Sequence, residues 1–423
     1  MRTQTDIRLV VIVLVGLVPR VWWQLTSHAV PVSDAGAYRA FALSLASGQG
    51  YAFGGYPTAW WVPGWPAFLA VLYRVAGSND TVVYLANLAL AAATILLTYA
   101  LARHLFSEPA ALVAAAIVSV FPALVLLPRF LLSENLALPL FLAVILLAVR
   151  LEHSRRALLA GLSIGLTCGV LVMVREQSLI VLIAIGVSWC ARRRSMSPLA
   201  PRLAGLIVGA LLVLAPWVVR NAVVVGIVGL STSSTTNLLI SFGPQTTGGY
   251  VTLDPASFGA FTIGHDEAGR ARLARSELVA YVRAHPAILA RFAPAKLMIY
   301  VLDESWPLWW DQDATGASSL DGRGRMLVLL AGYAVYLPAL AFGAAGLARA
   351  GRRAPLVTAI VLLSIALQAM MFSNGRFHAV LEPVLAVYAA GWLVRSQRRA
   401  NADRDCSPAV AGAMAVAEAC AEG

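Results

Sequence analysis

Long apolar runs, separated by short and mostly basic connections, dominate the chain. A run of about 20 apolar residues can cross a bilayer as a helix. Such runs lie at about residues 7–27, 80–102, 110–128, 135–150, 157–174, 178–191, 202–220, 326–347, 355–372 and 377–394. The pattern predicts an all-α polytopic membrane protein with about ten transmembrane helices.

Residues 28–79 form the first long interruption of this pattern. Behind Ser33 and Asp34, apolar residues recur at helical spacing to Leu45, which predicts an amphipathic helix that lies along the membrane and has Ser33 as its N-cap. The aromatic residues that follow are of the kind found at a bilayer interface. Residues 63–77 are apolar but too short to span, which predicts an interfacial or re-entrant piece.

Residues 221–325 form the second and longer interruption. Within them, RARLARSELVAYVRAHPAILARF predicts a helix lying on the membrane surface. Its basic side chains are Arg270, Arg272, Arg275, Arg283 and Arg291. Contact with anionic lipid headgroups is favoured over contact with substrate. Trp306, Trp309 and Trp310 are expected to mark the interface again.

Composition and charge agree with a membrane protein. The chain of 423 residues is 59% hydrophobic and 13% charged, and its mean hydropathy is +0.76. The net charge of +11 lies in short groups between the apolar runs, which indicates membrane topology rather than nucleic-acid binding. The basic groups of alternate connections are Arg103 and His104, Arg150, Arg155 and Arg156, Arg192 to Arg194, Arg349, Arg352 and Arg353, and Arg395, Arg398 and Arg399.

The positive-inside rule then places both termini in the cytoplasm and residues 28–79 and 221–325 outside. Residues 1–399 are predicted to form one membrane domain, and residues 400–423 an Ala-rich cytoplasmic tail without an assigned function. The first apolar run could be a signal peptide, but Pro19, Arg20, Trp22 and Trp23 argue against cleavage. Cys168, Cys190, Cys406 and Cys420 lack the spacing of metal ligands.

Charged residues at the outer helix ends supply the candidate chemistry. They are Asp34, Arg129, Glu134, Arg175, Arg220, Arg376 and Glu382. Carboxylates that face guanidiniums suit a reaction in which a hydroxyl or amine loses a proton while an anionic phosphate leaves. Such a phosphate leaves readily when arginines hold it, so this chemistry needs no His or Cys.

Two segments of the first outer loop, DAGAYRAFALSLASGQGY and PTAWWVPGWPAFLAVLYRVAG, resemble the corresponding loop of the C-type (GT-C) membrane glycosyltransferases. They are most similar to the bacterial relatives of protein O-mannosyltransferases and of the lipid A aminoarabinose transferase. PRFLLSEN, MVRE, APWVVRNAVVVG and GRFHAVLEPVLAVYAA follow in the expected order. The order and the topology, rather than any single motif, carry the resemblance.

The resemblance implies an inverting glycosyltransferase of the bacterial inner membrane. It would move a sugar from a polyprenyl-phosphate sugar to a protein, lipid or glycan acceptor on the outer face. Asp34 matches the catalytic base. Glu134, preceded by Ser133 where mannosyltransferases tend to have Leu then Asp, matches an acidic residue that orients the acceptor or a metal.

The remaining charged residues are assigned to binding. Arg129 and Arg175 match basic positions that contact the donor phosphate, and Arg220 is added as a further cation at a helix end. The predicted sugar and acceptor pocket contains Tyr38, Trp60, Arg376 and Glu382. The sequence requires no cofactor, and a divalent metal held by acidic residues from separate loops stays open. The expected partners are the lipid-linked donor, the acceptor and membrane lipids.

Structural explanations stand beside these roles. Asp34 could serve only as a helix cap, Glu134 could pair only with Arg129, and Arg175 could pair with Glu176. Arg220 could cap a helix C-terminus, and Arg376 and Glu382 need not face each other. The rival functions are a lipid-linked-sugar transporter and a non-catalytic scaffold. The lack of an internal repeat and the outer position of the polar residues argue against the transporter.

Overall fold

The computed structural model describes residues 2–193, 198–253, 266–351 and 354–405, and these are almost entirely helical. The helices are α1 (Arg2–Thr26), α2 (Ser33–Ala46), α3 (Gly64–Ala76), α4 (Asp80–Leu105), α5 (Glu108–Val120), α6 (Pro122–Leu126), α7 (Glu134–Leu151), α8 (Ala157–Val174), α9 (Leu179–Ala191), α10 (Leu199–Val224), α11 (Ser233–Phe242), α12 (Glu267–Ala284), α13 (Ile288–Arg291), α14 (Ala293–Leu302), α15 (Trp306–Trp310), α16 (Gly322–Ala350), α17 (Pro355–Met370) and α18 (Glu382–Asp405). Three 3₁₀ turns lie at Leu127–Arg129, Glu176–Ser178 and Gly375–Leu381. Two short strands, β1 (Ala52–Phe53) and β2 (Tyr56–Pro57), pair antiparallel with Ala52 opposite Pro57.

Seven segments of the described chain are helical, long and apolar enough to cross a membrane. They are Ile7–Thr26, α4, α7, α8, α10, α16 and Gly375–Gln397. An eighth is formed if α5 and the segment Pro122–Arg129, which bend by 62° at their junction, are one span. Two shorter apolar helices, Glu176–Ala191 and α17, occupy the two remaining predicted positions. The prediction of an all-α polytopic membrane protein is confirmed.

The bend between α5 and α6 explains a charge inside the first span. Pro122 has no backbone N–H, so the carbonyl of Val118 lacks its normal helical donor. The guanidinium of Arg20 donates to Val118 O at 3.1 Å and to Ser119 O and Gly16 O at 2.6 Å each. Arg20 is only 1% exposed, so its charge is held by backbone carbonyls rather than reaching the membrane surface.

Glycines let α8 and α10 approach closely. A Cβ atom on Gly161 would lie 2.1 Å from the carbonyl oxygen of Arg202, and one on Gly205 would lie 2.2 Å from that of Leu158. Gly165 and Gly209 continue the same contact one helical turn further on. Small residues at this spacing are typical of helix pairs packed in a membrane.

The first outer loop contains α2, the β1–β2 hairpin and α3. Helix α2 buries Ala35, Tyr38, Phe41 and Ala42, as its sequence pattern predicts. The prediction of Ser33 as its N-cap is wrong, because Ser33 is the first helical residue and makes no capping side-chain hydrogen bond. Helix α3, predicted as an interfacial or re-entrant piece, packs against α2.

The long outer loop contains α11 to α15 and is tied to the first loop. Glu267, at the start of α12, accepts hydrogen bonds from the Thr58 hydroxyl at 2.7 Å, the Ala59 amide at 3.1 Å and the Thr232 hydroxyl at 2.5 Å. The predicted surface helix is present as α12. Its exposed basic side chains, with that of α13, are Arg272, Arg275, Arg283 and Arg291.

Parts of the predicted topology lie outside the described residues. These are Arg194, Arg352, Arg353 and residues 406–423, the greater part of the predicted tail. Residues 400–405 continue helix α18. The division into a membrane domain and a tail therefore stays a prediction.

Candidate active site

A cavity of about 680 Å³ opens between the two outer loops. Its wall combines the start of α2, the turn before α9, one face of α11, the helix α15 and the 3₁₀ turn before α18. The polar residues lining it include Ser33, Asp34, Ser133, Arg175, Glu176, Gln177, Ser233, Thr236, Asn237, Thr252, Asn374 and Arg376. The aromatic residues lining it are Tyr38, Trp60, Trp61, Tyr250, Trp306, Trp309, Trp310, Phe372 and Phe377.

The first turns of α2 bring Asp34 and Tyr38 to this wall. The two residues are four apart, so their side chains share one face of the helix. Ser33 has a φ of +50°, in the left-handed region, which costs a non-glycine residue about 1–2 kcal/mol. This strain lies directly beside Asp34, and such strain is often found at functional sites. Burial raises the pKa of Tyr38, so its phenol is neutral.

Two carboxylates and two guanidiniums alternate along the base of the cavity. Arg376 donates from Nη2 to Asp34 Oδ2 at 3.1 Å, and its Nε lies 2.7 Å from Glu134 Oε1 in an ion pair. Glu134 also pairs with Arg175. The Glu134 side chain is fully buried, whereas that of Asp34 is 29% exposed. These four side chains, in the order Asp34, Arg376, Glu134 and Arg175, have no net charge as a group, and we call them the charge chain.

Arg129 and Arg220 are not brought to the charge chain. The Arg129 guanidinium donates to the Ser27 carbonyl at 3.0 and 3.2 Å and lies 4.2 Å from the centre of the Tyr84 ring. Arg220 donates to backbone carbonyls of the first outer loop, among them that of Tyr51 at 2.9 Å. Neither contact lies in the wall of the cavity.

Glu382 and Glu176 also make their contacts outside the charge chain. Glu382 lies 3.5 Å from His378 Nε2, in a separate buried cluster with Glu304. Glu176 accepts hydrogen bonds from Ser231 and Ser234, so the Glu176–Arg175 pair considered from the sequence does not form in the structure.

Sequence reasoning missed the contribution of α15. Trp306, Trp309 and Trp310 were expected only at the membrane interface, but all three line the cavity. Trp310 is 7% exposed, and its ring centre lies 5.1 Å from the Arg376 guanidinium carbon. Three tryptophans within five residues beside acidic side chains were the available signal.

The carboxylates of the cavity do not gather as metal ligands, because the Arg376 guanidinium joins Asp34 to Glu134. In the described part of the chain, the His and acidic side chains that converge closely enough to hold an ion are Glu304, His378 and Glu382. The charge chain offers instead a carboxylate at the cavity and guanidiniums that can bind an anion.

Comparisons with known proteins give a family match for part of the chain and solved structures of similar fold. Residues 61–219 match the family described as dolichyl-phosphate-mannose-protein mannosyltransferase. The structure superposes on the Archaeoglobus fulgidus oligosaccharyltransferase tethered with an acceptor peptide that contains the NVT sequon, with a TM-score of 0.56, 14% identity, and coverage of 98% of this chain and 53% of that one. The family match covers less than half of the chain, and the superposition shows that the fold is shared.

Two further solved structures also match this chain. The Archaeoglobus fulgidus oligosaccharyltransferase AglB, in complex with an inhibitory peptide and a dolichol-phosphate, has a TM-score of 0.55 and 15% identity, covering 95% of this chain and 51% of that one. ArnT from Cupriavidus metallidurans bound to undecaprenyl phosphate has a TM-score of 0.43 and 15% identity, covering 91% of this chain and 77% of that one. The chain spans about half the length of the archaeal enzymes. No curated protein matches its sequence.

Proposed function

We propose that this chain is an inverting glycosyltransferase that moves a sugar from a polyprenyl-phosphate sugar to an acceptor on the outer face of the bacterial inner membrane. The observation that carries the proposal is the charge chain at the base of the cavity, with its one partly exposed carboxylate, Asp34. The matched mannosyltransferase family and the dolichol-phosphate complex of the archaeal relative support a lipid-linked donor.

The guanidiniums of Arg175 and Arg376 are placed to bind the donor phosphate. Both line the cavity, and each guanidinium has five N–H donors, more than its present contacts with carboxylates use. Glu134 bonds both of them from a fully buried position, so it fixes their orientation without reaching the cavity itself. Charge-assisted hydrogen bonds from arginine are well suited to a phosphate.

Asp34 is placed to act as the general base. In the proposed step the acceptor hydroxyl or amine attacks the anomeric carbon, and its proton passes to the Asp34 carboxylate. The bond between the anomeric carbon and the phosphate oxygen breaks, and the lipid phosphate keeps the electron pair. Attack opposite the departing phosphate inverts the anomeric carbon. The arginines stabilise the charge that grows on the phosphate.

The aromatic residues of the wall suit a sugar ring. Tyr38, Trp60, Trp309 and Trp310 line the cavity, and the faces of aromatic rings can pack against the C–H groups of a sugar. The volume of about 680 Å³ falls within the usual range of ligand pockets, about 300–1,000 Å³.

The charges of the connections support an outer position for the site. The loops that build the cavity alternate with connections that contain clusters of arginine, and such clusters favour the cytoplasmic side. The proposed cavity therefore opens to the outside, where a donor already moved across the membrane would be met.

The test is sugar transfer by the purified chain in lipid vesicles. A panel of labelled polyprenyl-phosphate hexoses and pentoses is offered with an envelope extract as the source of acceptor, and label that leaves the lipid is measured. Asp34→Asn should abolish transfer. Asp80→Asn is the matched control, because Asp80 pairs with Arg39 in the same region but does not line the cavity.

Two results would contradict the proposal. The first is equal transfer by wild type and Asp34→Asn, which would remove Asp34 as the base. The second is movement of the lipid-linked sugar across the vesicle membrane with its phosphate bond intact, which would identify a transporter.

A further inference from the structure

A second cluster of ionisable side chains lies apart from the charge chain. Glu304 lies in the connection between α14 and α15, His378 in the 3₁₀ turn before α18, and Glu382 at the first position of α18. Their exposed fractions are 4%, 2% and 0%. One ligand atom from each lies within 4.8 Å of the others. None of the three lines the cavity of the proposed active site.

The hydrogen bonds of His378 determine which of its two ring nitrogens can accept on the side of the glutamates. Nδ1 lies 2.5 Å from the Tyr300 carbonyl oxygen, and because a carbonyl only accepts, the hydrogen-bond network assigns a proton to Nδ1. The Tyr336 ring stacks on the imidazole, with centroids 5.0 Å apart, and fixes its plane. A neutral imidazole held in this way presents the Nε2 lone pair to the carboxylates. Histidine ligands of metals characteristically donate their other N–H to a carbonyl or carboxylate.

The two carboxylates leave this cluster short of positive charge. Nε2 lies 2.9 Å from Glu304 Oε1 and 3.5 Å from Glu382 Oε1. Both oxygens of Glu382 and Oε2 of Glu304 are buried and make no hydrogen bond in the structure. Within the described residues, neither glutamate pairs with an arginine or lysine. Buried carboxylates without donors or counter-ions are costly, so this cluster must take up protons or a cation.

A proton on His378 Nε2 would neutralise only part of the negative charge of the two glutamates. It would pair with Glu304, and the cluster would then need a second proton, on Glu382, to lose its remaining negative charge. A divalent cation with a neutral imidazole and two carboxylates makes the cluster neutral and gives every facing lone pair a partner. Ligands bonded tetrahedrally at about 2.0–2.1 Å lie about 3.3 Å from one another. The separations of 2.9 and 3.5 Å fall on either side of this value.

We propose that Glu304, His378 and Glu382 bind one divalent transition-metal ion, with Zn²⁺ as the preferred ion. An imidazole nitrogen favours Zn²⁺ over the oxygen-seeking Mg²⁺ and Ca²⁺, and two carboxylates complete a common ligand set. This inference concerns metal binding alone and does not depend on the proposed glycosyl transfer.

The ion would fasten the long outer loop to the start of the last helix. Asp303 Oδ2 already accepts a hydrogen bond from the Gly375 amide at 3.2 Å, directly beside this cluster in the chain. His378 is two residues from Arg376, the central member of the charge chain. The cluster is therefore a positioning site, which holds the segment of Arg376 without touching the cavity.

The test is the zinc content of the full chain, purified in detergent through a tag that contains no histidine. The protein is stripped with EDTA, loaded with ZnCl₂, desalted and measured by plasma mass spectrometry, and its thermal unfolding is followed before and after loading. We expect wild type to retain one zinc per chain and to unfold at a higher temperature with zinc than without it, because a ligand that binds only the folded state stabilises it.

Near-isosteric variants identify the ligands. Glu304→Gln and Glu382→Gln should each weaken zinc retention by at least about tenfold, since changes even in the groups around metal ligands weaken binding by about 10–100-fold. Glu267→Gln is the matched control, because Glu267 is also a buried glutamate of the outer loops but is bound by hydroxyls and an amide. This control should retain its zinc.

Two outcomes would overturn the assignment, and the first does not depend on how well the variants fold. One is wild-type protein that keeps no zinc after loading and desalting. The other is folded Glu304→Gln or Glu382→Gln protein that keeps as much zinc as Glu267→Gln. If both variants fail to fold, cobalt-loaded wild type decides: it should show the intense visible bands of a tetrahedral site with oxygen and nitrogen ligands, and their absence overturns the proposal.

Discussion

Asp34 and Glu134 lie in the same charge chain, yet their substitutions should have opposite consequences. Glu134 is fully buried and pairs with both Arg175 and Arg376. The Asp34 side chain is 29% exposed, and it pairs with Arg376, which also pairs with Glu134. We therefore expect Glu134→Gln to reduce mainly stability and Asp34→Asn to reduce mainly sugar transfer.

The magnitudes follow from burial. Removing one partner of a buried ion pair costs about 3–5 kcal/mol, because the remaining charge stays buried without compensation. In Glu134→Gln this applies to Arg175, whose side chain is 6% exposed. A partly exposed pair contributes about 0–1 kcal/mol, so Asp34→Asn should change the free energy of unfolding by less than about 1 kcal/mol. Its loss of a general base should lower transfer by about 10²–10⁴-fold.

The assay measures unfolding and transfer on the same detergent-solubilised samples. Unfolding is followed by tryptophan fluorescence. With an unfolding entropy of about 2.1 cal/mol/K for each of the 423 residues, a loss of about 4 kcal/mol corresponds to about 4–5 °C. A Glu134→Gln protein that unfolds at the wild-type temperature would refute the argument from burial. Equal destabilisation by both substitutions would show that the two carboxylates do not differ as their exposure implies.

Three further predictions concern donor binding, helix packing and pH. Arg175→Ala should raise KM for the lipid-linked donor more than KM for the acceptor. Arg129→Ala is the control and should leave donor KM unchanged, because Arg129 binds the Ser27 carbonyl. Initial rates at varied donor concentration distinguish the two variants. Gly205→Ala should cost about 1–3 kcal/mol in thermal unfolding, because its methyl group would lie 2.2 Å from Leu158 O. Burial lowers the pKa of Lys296 to about 8. From about pH 8 to 10.4 the unfolded chain therefore retains a proton that the folded chain has lost, so stability rises with pH. Lys296→Met should raise stability at pH 7 and flatten this rise, as measured by unfolding across that pH range.

The helices and outer loops could be predicted because local composition determines them. In the described residues, seven apolar segments are long enough to cross lipid as a helix, and the arginines of the connections predict the side on which each connection lies. The bend at Pro122 was not predicted, although the proline is visible in the sequence. Its partner, Arg20, lies about 100 residues away, and only the packed structure shows that this charge replaces the missing helical donor.

The start of α2 shows how a distant contact overrides a local preference. Serine is a good N-cap, so Ser33 was assigned that role. In the structure Val30 donates its amide to the Gln312 carbonyl at 2.9 Å, which fixes the chain just before the helix to the long outer loop. Ser33 then adopts a φ of +50° and enters the helix, while the Val32 carbonyl accepts from the amides of Ala35 and Gly36. No local pattern contains that constraint.

The same limit applies to the charge chain, with a larger consequence. The sequence suggested that Glu134 pairs with Arg129, five residues earlier, but Arg129 binds the Ser27 carbonyl instead. Glu134 and Asp34 both pair with Arg376, which lies 342 residues from Asp34 in the chain. This long-range bond also bears on the proposed chemistry. A donor phosphate that binds Arg376 competes with Asp34 for the same guanidinium, and so releases the carboxylate to face the acceptor. Under the proposed function, the donor therefore prepares its own base, and the acceptor is best bound second.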